Sequence, residues 1–148
     1  VYMQKVLSEY FEVPIQIEQF VGAWYNLPDG QQSCLGKAQV SLGSDALLGS
    51  RVWQRDLRLR ILVGPLTQKQ FEEFLPHSVA AKSLDKFLAL FTQYCLEYEV
   101  QLILRKEEVK AVQLQEQVQH GRLGWDTFLL SKPAPENRRD VRYQIHTQ

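Results

Sequence analysis

Three histidines, two aspartates that closely follow Leu-Gly pairs, and four arginines around a tryptophan are the residues of this 148-residue chain with the most chemistry to offer. Histidine titrates near neutrality and serves as a general acid or base. His77 follows Pro76, His120 precedes Gly121, and His146 lies near the end of the chain. None has a partner close by in sequence, so the plainer reading is three loop or terminal histidines. Asp45 or Asp126 would make a hydrolytic site if it converged with His77. Otherwise each caps a turn by accepting backbone N–H bonds, which is the favoured reading. Arg51, Arg55, Arg58 and Arg60 surround Trp53. Such a set can hold phosphates and stack a base. It also fits an Arg- and Trp-rich protein interface. The third and plainest option is a solvated strand face, with Arg58 and Arg60 paired across strands with Glu97 or Glu99.

Motifs that would settle the chemistry are missing. There is no G-x-G-x-x-G, H-E-x-x-H, C-x-x-C or G-x-S-x-G. The stretch from Gly43 to Gly49 has the glycines of a phosphate loop at the wrong spacing and without the lysine that reaches the β- and γ-phosphates. Cys34 and Cys95 form neither a metal spacing nor a disulfide framework. No metal and no cofactor are expected. Lys and Arg number 17 and so do Asp and Glu, so net charge is zero, against the basic excess of a dedicated nucleic-acid or membrane-surface protein. With 45% apolar and 23% charged residues the composition is ordinary for a globular domain, and the length suits one domain. The chain opens Val1-Tyr2-Met3 directly into helical pattern, and is expected to be a fragment lacking sequence on its N-terminal side.

The elements that must position these residues follow from periodicity. Met3, Val6, Leu7, Tyr10 and Phe11 recur at helical spacing over 2–12, and Pro14 closes the pattern. Val13, Ile15 and Ile17 alternate with polar residues, predicting a strand to about Phe20. Over 56–63, Leu57, Leu59, Ile61 and Val63 face one way and Arg58 and Arg60 the other, a half-buried strand that Gly64-Pro65 is expected to end. Thr67 to Gln70 matches a capping box, with Leu66 and Phe71 placed as a hydrophobic staple; the helix should stop at Pro76. A second helix is expected from a cap at Ser83, burying Leu84, Phe87, Leu88, Phe91 and Cys95. Tyr98, Val100, Leu102 and Leu104 predict the next strand, 111–115 a short one, and Val141, Tyr143 and Ile145 the last. Trp125, beside Gly124, is expected to fill a gap in the core. This order predicts an α+β domain: a mixed or mainly antiparallel sheet with helices packed on one face.

Residues 22–54 resist assignment, with no sustained period of 2 or 3.6 despite Trp24, Tyr25, Leu47, Leu48 and Trp53. A long irregular segment this rich in apolar side chains is either wrapped on its own core or a docking surface. On the second reading Trp24, Tyr25, Leu47 and Trp53 are its anchors.

Leu42-Gly43-x-Asp45-Ala46-x-Leu48-Gly49-x-Arg51-Val52, then Gly64-Pro65-Leu66, then Phe71-x-x-Phe74-Leu75-Pro76, then Leu123-Gly124-Trp125-Asp126-Thr127 together resemble the C-terminal part of TssG, the ImpH/VasB-type baseplate family of bacterial type VI secretion. The resemblance spans roughly 42–130. It implies that Gly43, Asp45, Gly49, Gly64, Pro65, Gly124, Trp125 and Asp126 are structural motif residues. It implies a cytoplasmic wedge component without catalytic residues that associates with TssF, TssE and TssK. Full-length members are considerably longer, so part of the binding surface is expected to lie elsewhere. The competing expectations are a nucleic-acid-binding module on the arginine strand and a His/Asp hydrolase.

Overall fold

A computed structural model describes residues 2–33, 49–92, 97–109, 124–125, 128 and 134–145. Helix α1 (Tyr2–Phe11) leads into strand β1 (Ile15–Glu18). Strands β2 (Ala23–Asn26) and β3 (Arg51–Gln54) follow, then β4 (Arg58–Leu66), helices α2 (Gln68–Glu73) and α3 (Val79–Thr92), and strands β5 (Glu97–Leu104) and β6 (Arg142–Ile145). Four strands form a sheet in the order β1-β4-β5-β6; β2 and β3 form a separate two-stranded ribbon. Within the sheet β4 and β5 run parallel, and the edge strands pair antiparallel. The parallel pair needs a long crossover, and α2 and α3 supply it. The expected α+β class with a mixed sheet is what forms.

The period-2 pattern sets the core face of the sheet, although Leu62, Gln101 and Ile103 at the alternate positions are buried too. Ile15, Ile61, Val63, Tyr98, Val100 and Leu102 are buried on one face, in one cluster with Leu7 of α1, Phe71 of α2 and Leu84 and Leu88 of α3. Helices therefore pack on that face. Two hydroxyls tie them down. Ser8 Oγ of α1 accepts from the Ile15 amide at 3.0 Å, satisfying a donor on the edge strand. Tyr143 of β6 donates its phenol to the Phe74 carbonyl at 2.8 Å, and burial pushes its pKa far up. Trp125 packs against this core, its ring 6.2 Å from that of Tyr143.

The capping box forms as read: Thr67 Oγ1 accepts from the Gln70 amide, and Gln70 Oε1 accepts from the Thr67 amide at 3.1 Å. Leu66 and Phe71 are both buried beneath it. Three expectations need correction. Gly64-Pro65, a cis peptide, does not end the strand; β4 runs on to Leu66 through a register shift between Val63 and Leu66. A bulge is the place where a strand tolerates proline. Helix α3 starts four residues before Ser83, because Ser78 takes the cap, its Oγ accepting from the Ala81 amide at 3.3 Å. His77, at φ +71°, turns the chain so that Ser78 can do this. Leu57 lies before β4 and is exposed rather than in the inward row.

Candidate functional site

The ends of the segment that showed no period form the ribbon. Register is Ala23↔Gln54, Trp24↔Trp53, Tyr25↔Val52 and Asn26↔Arg51. Burial alternates strictly along both strands: Trp24, Asn26, Arg51 and Trp53 are exposed, while Ala23, Tyr25, Val52 and Gln54 turn inward. The Leu27 amide donates to the Ser50 carbonyl at 2.9 Å, extending the ladder by one hydrogen-bonded pair. By alternation Trp24 and Trp53 then occupy a non-hydrogen-bonded pair, the kind whose facing side chains come closest.

The two indoles meet edge to face, centroids 5.3 Å apart at 64°. The guanidinium of Arg51, on the diagonal, lies 5.8 Å from the Trp24 ring. Trp53 is seated on Gly22: a Cβ at residue 22 would lie 2.0 Å from its Cζ2. Only a glycine lets the ring lie flat there. Even so the pair is open to solvent, Trp24 at 62% and Trp53 at 49% relative exposure. Rings this large are normally buried, yet both are exposed here and meet edge to face.

Tyr25 turns the other way and fastens the ribbon to the sheet. Its phenol donates to Glu97 Oε2 at 2.7 Å, and Arg58 Nη2 donates to the same oxygen at 3.0 Å. The Arg58 guanidinium also lies 5.9 Å over the Tyr25 ring. Burial raises the Tyr25 pKa, the hydrogen bond to Glu97 and its charge add to that, and Arg58 opposes it. Beside this latch, on the sheet face away from the helices, Arg60 Nε donates to Glu99 Oε2 at 2.7 Å and Nη1 reaches Glu18 at 3.3 Å. The expected cross-strand pairing of Arg58 and Arg60 with Glu97 and Glu99 is present. The charges of Arg58 and Arg60 are answered within the sheet.

Of the other residues singled out, His77 sits exposed in the turn between α2 and α3. Gly64, at φ +128°, lies in the β4 bulge against the Ile103 carbonyl, with Pro65 after it. Gly49 and Gly124 also take positive φ, at +97° and +86°. Cys34, Gly43, Asp45, Leu47, Cys95, His120, Asp126 and His146, with the 111–115 strand, lie outside the described residues. The proposed meeting of His77 with Asp45 or Asp126 therefore has no geometry here. Gly22 was missed; its signal in the sequence is a glycine just before Ala23-Trp24-Tyr25. Among the described residues no helix is long and apolar enough to cross a membrane.

Comparison with known proteins bears on the family and the fold. The family model described as type VI secretion, TssG, matches residues 1–130. A chain in the cryo-electron microscopy structure of the type VI secretion TssK-TssF-TssG baseplate subcomplex shares the fold, with TM-score 0.69 and 13% identity over 97% of this chain and 61% of that one. A chain of the type VI secretion baseplate complex matches with TM-score 0.54 and 16% identity, over 97% of this chain and 41% of that one. The chain thus spans less than two thirds of either. No curated protein matches it.

Proposed function

The chain belongs to the type VI secretion TssG family, and on that premise we propose that it is a structural subunit of the secretion baseplate, acting by holding other proteins in place. TssF and TssK are its proposed partners, as companions of TssG in the subcomplex whose chain shares this fold; TssE joins them by the family resemblance. The proposed setting is the cytoplasmic baseplate, with no catalytic step.

The observation that carries the docking part is the Trp24–Trp53 pair. It is exposed, fixed edge to face, and anchored from behind by Tyr25 and Glu97. Leu47 is proposed as a further anchor on the segment joining the two strands. Aromatic anchors of this type carry a large share of interface energy, with truncation of a single one costing about 2 kcal/mol or more. Co-expression of the full chain with TssF, TssE and TssK, one at a time, tests the reading. At least one should co-purify, and Trp24→Ala/Trp53→Ala should release it while leaving the circular dichroism unchanged. If no baseplate protein co-purifies, the subunit reading is wrong. If the folded double variant still holds every partner, the docking surface lies elsewhere.

A further inference from the structure

The ribbon also indicates what it holds. Residues 51–60 carry four arginines, and the fold treats them as two pairs. Arg58 and Arg60 are half-buried and joined to Glu97, Glu99 and Glu18. Arg51 and Arg55 are exposed, and among the described residues neither has a carboxylate within ion-pair distance, although exposed Asp56 is adjacent in sequence. Arg51 is held over the Trp24 ring on the outward face. Arg55 follows Trp53 by two residues. On a chain of zero net charge, Arg51 against the exposed indole pair and exposed Arg55 two residues beyond Trp53, neither in an ion pair among the described residues, give this end of the ribbon a positive and apolar character.

We propose that the outward face of the β2–β3 ribbon takes an acidic protein segment, with carboxylates on Arg51 and Arg55 and an apolar side chain against the Trp24–Trp53 pair. The proposal rests on the docking reading above and adds the chemistry of the occupant. Guanidinium and carboxylate form charge-assisted hydrogen bonds, and Arg51 loses little freedom on binding because the indole already positions it. A nucleic acid is the weaker fit, because it draws on a stripe of free cations and the sheet has consumed the other two. A second copy of this chain is also a weaker fit, because its ribbon would present the same positive charge.

The test uses the full chain bound to whichever of TssF, TssE or TssK it retains. Arg51→Gln/Arg55→Gln should weaken capture about tenfold at low salt and flatten its salt dependence. A photo-crosslinker at position 26, exposed on the same face opposite Arg51, should mark a partner peptide rich in Asp and Glu. If Arg51→Gln/Arg55→Gln binds like the parent while Trp24→Ala/Trp53→Ala does not, the docking surface stands and the acidic occupant is wrong. If both variants bind like the parent, the docking reading fails with it. A crosslinked peptide without carboxylates overturns the proposal. So does a dT20 oligonucleotide that displaces the partner, or a dimer of the chain abolished by Trp24→Ala/Trp53→Ala.

Discussion

Two glycines show how much a single missing Cβ does, and they predict opposite outcomes. At Gly64 an added Cβ would fall 2.4 Å from the Ile103 carbonyl oxygen, at a φ of +128° that L-residues avoid. The obstacle is the backbone of the neighbouring central strand, buried in the sheet, and it has nowhere to go. Gly64→Ala should cost roughly 3 kcal/mol, read as a fall in the urea midpoint. At Gly22 the clash is closer, yet the obstacle is the Trp53 indole, which is half exposed and free to swing outward. Gly22→Ala should cost less than about 1 kcal/mol. It should nevertheless break the edge-to-face pair, shifting Trp53 emission to the red and weakening partner capture. Equal destabilisation by the two substitutions would contradict this account of both sites.

The ribbon as an element depends on its latch, and the latch titrates. Tyr25 donates to Glu97, so it must stay protonated. Its pKa is raised in the fold above the ordinary 10.0, first by burial and then by the Glu97 carboxylate. A raised pKa contributes stability that is complete below about pH 10 and is lost as pH rises through the raised value. Tyr25→Phe should cost about 1 kcal/mol at pH 8 and progressively less as the parent phenol ionises. Urea unfolding of parent and variant at pH 8 and pH 11 measures this; an equal gap at both would rule out the latch. The sequence disclosed the elements very unevenly. The alternation of Arg58 and Arg60 with Leu59, Ile61 and Val63 was legible because one face is apolar and the other charged, and the Glu97 and Glu99 pairing followed from it. Thr67 and Gln70 were legible because a capping box is local. The ribbon was not, although its residues alternate as strictly. Its exposed positions hold tryptophans and one inward position holds Tyr25, so both faces look aromatic and hydropathy carries no period. Its pairing also spans Asn26 to Arg51, too far for any local signal. Similarly, the Ser78 cap depended on His77 adopting positive φ, which no pattern of apolar residues encodes.

At the scale of the molecule, the fold is a slab of sheet backed by helices, carrying a two-stranded ribbon. Strands β4 and β5 sit at the centre of the sheet with three helices on one face, and they hold the fully buried Ile61, Val63, Tyr98, Val100 and Leu102. The ribbon has two strands, a solvated outer face and a tyrosine latch, and a two-stranded ribbon is marginal without support. On the proposed docking role, the slab would set position while the ribbon met the partner. Local opening free energies span from near zero up to the global value, and sparsely packed elements open first. Amides of Tyr25 and Val52 should therefore exchange by local opening, about 2–3 kcal/mol below the global unfolding that governs Val63 and Val100. Binding of the baseplate partner should raise protection in the ribbon and leave the central strands unchanged, since those already exchange only through global unfolding. Hydrogen exchange by mass spectrometry on the free and assembled chain reads both effects. Ribbon amides as slow as those of β4 in the free chain would mean that the ribbon belongs to the core. A partner that protects the sheet while sparing the ribbon would place its grip on the slab.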